Sequence, residues 1–262
     1  MKSVVSAHNL AIGYTSKKGV NVISKDITFN IPRGELIGVI GKNGIGKSTF
    51  LRTISGIQSK LDGDIALNDK PLESYSTNEL ARHIGVVLTE KLPESNLTVY
   101  ELISLGRHPY TNWIGKLTEE DEQIIEKAIQ HTQIAHLIHK KYFELSDGQL
   151  QKVLIARALA QDTDIIILDE PTAHLDVHHT AETFNMLKTL TSQFNKTIFV
   201  STHEVNLALE LSDTIFAFSS KGLIIDKTAK ILNSEMMKDL FDSDLINFDA
   251  AAKQFKIIKK VR

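Results

Sequence analysis

One run of residues carries the clearest chemistry in the chain: Gly41-Lys42-Asn43-Gly44-Ile45-Gly46-Lys47-Ser48-Thr49, which matches G-x-x-x-x-G-K-[ST]. Its glycines let successive backbone N–H groups turn inward, a following helix adds the positive end of its dipole, and Lys47 adds a full charge. Such a cradle holds the phosphates of a nucleotide, with Lys47 at the β- and γ-phosphates and the Ser48 hydroxyl on Mg²⁺. A second run, Ile165-Ile166-Ile167-Leu168, ends in the two carboxylates Asp169 and Glu170. There Asp169 is suited to hold the metal and Glu170 to orient or deprotonate an attacking water. Pro171 then stops the strand and fixes where both acids sit.

These groups work only if buried strands deliver them to one place. The stretches 35–40, 84–88, 164–168 and 196–200 are apolar without polar alternation, which predicts parallel strands covered on both faces. They alternate with helix-period stretches, so the fold class is α/β with a mostly parallel sheet and ligands beyond the C-terminal strand ends. Ahead of them, 3–14 and 22–31 read as antiparallel strands, with Ile31-Pro32-Arg33-Gly34 turning the chain. From 97 to 161 the spacing is helical, at 97–106, 118–132 and 150–160, with Thr118 as an N-cap followed by acids. This predicts a helical subdomain inserted in the core. A helix at 205–212, strands at 214–218 and 223–227, and a helix at 234–241 follow. Residues 1–242 are read as the main domain and 243–262 as a C-terminal extension.

Composition narrows the alternatives. The 262 residues are 42% hydrophobic and 24% charged, which excludes wholesale disorder. Thirty basic side chains against thirty-two acidic ones leave a net charge of −2, so nothing global marks a nucleic-acid binder. The absence of cysteine removes disulfides, thiolate zinc sites and cysteine nucleophiles. The N-terminus lacks a secretory pattern, and no apolar run approaches the roughly 20 residues that span a bilayer. Any membrane role must come through a partner.

Leu145-Ser146-Asp147-Gly148-Gln149 resembles the LSGGQ signature of ATP-binding cassette (ABC) ATPases. Other pieces stand in that family's order. Tyr14 resembles the aromatic that stacks on adenine, Ala173-His174-Leu175-Asp176 resembles the D-loop, and His203 resembles the switch histidine. The resemblance implies a P-loop NTPase core with an N-terminal antiparallel β subdomain and an inserted α-helical subdomain. It also implies hydrolysis of ATP with Mg²⁺, Glu170 and His203 acting in catalysis. A homodimer follows from it, in which Ser146, Gly148 and Gln149 complete the partner's site in trans. Two departures stand out. Asp147 replaces a glycine and is expected to face solvent. Glu90 falls where the Q-loop glutamine is expected; glutamate is nearly isosteric and can still ligate the metal through oxygen.

The stretch Thr98-Val99-Tyr100-Glu101-Leu102-Ile103-Ser104-Leu105-Gly106-Arg107-His108-Pro109-Tyr110 resembles the helical-domain segment of importers for iron–siderophore complexes, haem and vitamin B12, with His108 in an aromatic slot. This implies a subunit on the cytoplasmic face of the cell membrane that drives two transmembrane permease subunits, separate chains served by a substrate-binding protein. No nucleic-acid partner is expected. The alternatives are a cassette for another cargo or for export, and a soluble ATP-gated clamp. His131, His136, His139 and the pair His178-His179 have poor ligand spacing and read as solvated helix faces. Met236-Met237 reads as core, and the basic end from Lys253 to Arg262 as an exposed terminal strand. Glu90→Gln is expected to retain ATPase activity; a fall to the level of Glu170→Gln would show that the glutamate has an essential role of its own.

Overall fold

The chain opens with two long strands, β1 (Ser3–Ser16) and β2 (Gly19–Pro32), paired antiparallel. After the turn at Arg33-Gly34, β3 (Leu36–Gly41) enters the central sheet and leads into α1 (Lys47–Ile54). The chain then returns to the first sheet with β4 (Asp62–Leu67) and β5 (Lys70–Pro71), giving the order β2-β1-β4-β5. A short α2 (Thr77–Leu80), closed by a reciprocal Ser76–Glu79 capping box, precedes β6 (Ile84–Val87). The computed structural model describes residues 3–17, 19–88, 92–112, 114–173, 175–220, 222–232, 237, 245–249 and 251–258.

The helical insertion follows: α3 (Val99–Ser104), a 3₁₀ segment Leu105–Tyr110, α4 (Glu119–Thr132) and α5 (Asp147–Ala160). Each α-helix starts on a reciprocal capping box, from Thr98, Thr118 and Ser146 respectively, and α4 adds four acids in its first turn. The chain re-enters the core with β7 (Ile165–Leu168), α6 (Val177–Phe194), β8 (Thr197–Ser201), α7 (Val205–Leu211), β9 (Thr214–Ser219), β10 (Gly222–Lys227) and α8 (Thr228–Ile231). A hairpin of β11 (Ile246–Asp249) and β12 (Gln254–Ile257) docks on α7, where Asn206 exchanges two hydrogen bonds with the Phe255 backbone.

The central sheet runs β10-β9-β3-β8-β7-β6, and only β9/β10 is antiparallel. Every residue of β3, β7 and β8 is buried, as strands covered on both faces require. On one face the first sheet and α1 close through Phe29, Phe50 and Phe216, whose ring centroids lie 5.2–6.0 Å apart. Each such buried ring contributes about 1.5–3 kcal/mol by burial alone, which pins α1 against β3. On the other face Ile125, Ile129, Val153, Phe184 and Leu187 form a continuous core with β7 and β8.

The predicted core strands and helices are present, with differences at several of them. The helix expected over 97–106 ends at Ser104, because Pro109 lacks an N–H and the chain tightens into 3₁₀ geometry. The helix expected from 150 starts at Asp147, since Ser146 caps it. Strands β4 and β5 and helix α2 were not anticipated from sequence; β4 is a half-buried strand of mixed composition. The helix expected at 234–241 lies outside the described residues except for Met237, which is buried. The basic tail turns back as a hairpin with Ile257 exposed on its last strand, and 259–262 lie outside the described residues.

The 3₁₀ segment is a latch. Arg107 and Asp121 are each 4% exposed. Arg107 Nε donates to Asp121 Oδ1 at 2.8 Å and Nη1 donates to the Ala160 carbonyl at 3.0 Å. One guanidinium thus joins the start of α4 to the end of α5. Gly106 permits the approach, because a Cβ there would lie 2.3 Å from the Arg157 carbonyl. Burial pushes the Asp121 carboxyl up, but hydrogen bonds from Thr118 and Arg107 outweigh it and hold the group below the usual carboxylate range. Its stabilisation is therefore present above the unfolded carboxyl pKa and is lost as pH falls through the lower folded value. Arg107→Met strands a buried carboxylate and should cost about 3–5 kcal/mol, read as a lower urea midpoint at pH 7; an unchanged midpoint would refute the latch.

Candidate active site

Strands β3, β8 and β7 are neighbours and parallel, so the segments leaving them share one crevice. From β3 comes the loop 41–46. Gly46 has φ 117° and a Cβ there would lie 2.3 Å from Ile23 Cγ2, so only glycine fits. It is also the N-cap of α1 and provides no side-chain cap, which leaves the first N–H groups of the helix available to an anion. Lys42, Asn43 and Gly44 are exposed, Ile45 half-buried, and Lys47 and Thr49 buried.

Lys47 is 3% exposed. Its Nζ donates to the carbonyls of Gly41 at 3.2 Å and Lys42 at 3.3 Å, and lies 3.7 Å from Glu170 Oε1. Burial lowers the pKa of this ammonium, while the carboxylates of Glu170 and Asp169 pull it back up. Asp169, at the end of β7, is 2% exposed. Its Oδ1 accepts from Ser48 Oγ at 3.0 Å and from Ser201 Oγ at 2.7 Å. Its Oδ2 is buried without a hydrogen-bond partner. A buried carboxylate oxygen left free beside a serine hydroxyl is a hard-oxygen donor set suited to Mg²⁺, so the residues fit that ion.

Glu170 is held on three sides. Its N–H donates to Ser201 Oγ at 2.8 Å, its backbone takes φ 49°, and its Oε1 lies 2.7 Å from His203 Nε2. Left-handed φ is uncommon outside glycine, and here it turns the chain out of β7 directly at the acid. Ser201 was not singled out from sequence. It is fully buried, bridges Asp169 to the Glu170 backbone, and was visible only as a polar residue closing the apolar run Ile198-Phe199-Val200. Tyr14 is 48% exposed on β1, and its hydroxyl is 2.6 Å from Thr49 Oγ1.

The signature residues stand apart. Ser146 Oγ accepts from the Gln149 N–H at 3.3 Å and Gln149 Oε1 accepts from the Ser146 N–H at 3.2 Å, so the two cap each other. Gly148 is buried and Asp147 is exposed. Among the described residues no hydrogen bond or ion pair joins 145–149 to 41–49. Asp176 caps α6 by accepting from the His179 N–H at 2.9 Å. Glu90 and His174 lie outside the described residues.

The buried lysine gives a measurable signature. Between its depressed folded pKa and the ordinary lysine value, the unfolded chain holds more protons, so stability rises with pH through that window. Phosphate oxygens favour the charged ammonium and reverse the depression. Within that alkaline window, ATP binding should take up as much as about one proton, measured calorimetrically in two buffers of different ionisation enthalpy. Lys47→Met should abolish the uptake; heats independent of buffer in the unsubstituted protein would refute the assignment.

Comparison with known proteins places this arrangement. A family model described as ABC transporter matches residues 24–173. The chain is 36% identical to the iron(3+)-hydroxamate import ATP-binding protein FhuC of Bacillus subtilis (strain 168), covering 92% of this chain and 88% of that protein. It is 32% identical to the ferric enterobactin transport ATP-binding protein FepC of Escherichia coli (strain K12), covering 88% and 84%. The dimeric, post-hydrolysis structure of the cassette MJ0796 bound to ADP and Pi superposes with a TM-score of 0.74 at 26% identity, covering 86% of this chain and 98% of that one. The chain belongs to the ABC transporter family, as one of its ATP-hydrolysing cassettes.

Proposed function

We propose that this cassette works as a head-to-tail pair of identical chains and powers an importer of iron–siderophore or related metal chelates. The transported compound would pass through two transmembrane permease subunits, separate chains served indirectly by a substrate-binding protein. No helix among the described residues is long and apolar enough to cross a membrane, which is consistent with attachment through those subunits at the cytoplasmic face. The cargo reading is supported by the names of FhuC and FepC and by the segment Gly106-Arg107-His108-Pro109-Tyr110. Residues 1–242 would act as the cassette and 243–262 as an extension.

One observation carries the mechanism: Glu170 Oε1 lies 2.7 Å from His203 Nε2 and 3.7 Å from Lys47 Nζ, while the signature turn stands outside this group. ATP phosphates enter the loop 41–49, and the exposed Tyr14 ring offers a face to adenine. The γ-phosphate then competes with Glu170 for Lys47 and His203. Released from that pairing, Glu170 orients water for in-line attack on the γ-phosphorus and accepts its proton. The bond from the γ-phosphorus to the bridging oxygen breaks, and ADP leaves with the electron pair, giving ADP and phosphate. Ser48 and Asp169, with Glu90 as the further oxygen donor expected from sequence, would hold Mg²⁺, which would neutralise phosphate charge when bound. Ser146, Gly148 and Gln149 of the second chain close the site over the γ-phosphate.

Glu170→Gln removes the proton acceptor and should lower turnover at least about 100-fold, while ATP accumulates a dimer on a sizing column. A variant that stays monomeric at saturating ATP would refute the shared site. Turnover of the reconstituted complex should rise with permease and loaded binding protein present; indifference to both would refute the importer.

A further inference from the structure

The first turns of α6 gather metal-binding donors that the ATP site does not use. His178 and Glu182 are four residues apart and so share one helix face, with His178 Nδ1 3.9 Å from Glu182 Oε2. One donor atom from each of His178, His179 and Glu182 lies within 4.8 Å of the other two. By sequence the histidine pair reads as a solvated face. The exposure holds, with the His178 side chain 77% exposed, but the helix adds a carboxylate that adjacency in sequence does not reveal.

A second observation points to a ligand. His179 Nδ1 lies 2.8 Å from Asp176 Oδ2. A carboxylate behind one ring nitrogen fixes the tautomer and makes the other nitrogen a better donor, the usual support of a metal-bound imidazole. Two imidazoles and one carboxylate suit a borderline divalent ion with water in the remaining position. Donors in a tetrahedral zinc site stand roughly 3.4 Å apart, so the ion must draw these side chains together, chiefly by rotation of the exposed His178. One charge opposes entry: Lys152 Nζ, on α5, lies 2.9 Å from Glu182 Oε2.

We propose that His178, His179 and Glu182 form a surface site for a zinc-class divalent ion, with Asp176 orienting His179 and Lys152 as the charge the ion displaces. Occupancy would exchange the α5–α6 ion pair for a metal clip confined to α6, immediately after the Asp176 cap.

The test is titration of Zn²⁺ into the full-length, nucleotide-free protein by calorimetry. One saturable site is expected, weakened about tenfold or more by His178→Ala and by Glu182→Gln. Lys152→Met should tighten binding severalfold by removing the competing ammonium, and His136→Ala, at an exposed position elsewhere, should leave it unchanged. His178 is not the helix cap, and a far-UV circular dichroism spectrum of each variant verifies that it folds. No saturable binding by the unsubstituted protein, or unchanged affinity in both His178→Ala and Glu182→Gln, would overturn the site.

Discussion

The structure depends on keeping one ammonium group nearly dry. Lys47 sits 3% exposed at the start of α1, and a buried lysine without partners would lose its proton instead of serving as a charge. Two loop carbonyls accept from this ammonium, and the nearby Glu170 and Asp169 carboxylates pull its pKa back up against the lowering by burial. That requirement reaches far along the chain. The carbonyls come from the end of β3 and the acids from the end of β7, with β8 between them. The parallel order of these strands is therefore a condition of the charge arrangement as well as a way of burying apolar surface.

Ser201 shows how closely the parts are interlocked. Its single hydroxyl donates to Asp169 and accepts from the Glu170 backbone, so one side chain from β8 fixes both acids at the end of β7. The unpartnered Asp169 Oδ2 and the contact of Glu170 with Lys47 and His203 describe a site arranged for ligands carrying opposite charges. A cation would relieve the first and an anionic phosphate would exchange with the second. The signature turn on α5 caps its own helix and, among the described residues, makes no hydrogen bond or ion pair to the loop 41–49.

That turn is carried by the helical subdomain, at the start of α5. Arg107 ties α4 to the far end of α5, so the helix bearing Ser146 to Gln149 is anchored at the end opposite its active turn. The C-terminal hairpin acts on the other side. It grips Asn206 one residue into α7, which follows His203 closely, and packs Phe248 near Val205, Ala208 and Leu209.

The sequence by itself determined the groups that do local chemistry. The loop 41–49, the acids Asp169 and Glu170, the Thr118 cap and the fully apolar strands depend on spacing along a few residues, where backbone geometry leaves little freedom. The order of Tyr14, the signature turn and His203 was legible through resemblance to the ABC family rather than through local geometry. Only the tertiary structure decided which distant side chains meet. Ser201 beneath both acids and Arg107 across two helices depend on strand order and helix packing, which no local pattern encodes. Strands β4 and β5 were missed because their short, mixed runs become strands only by pairing: β4 lies antiparallel to β1, about fifty to sixty residues away in sequence, and β5 then pairs with β4.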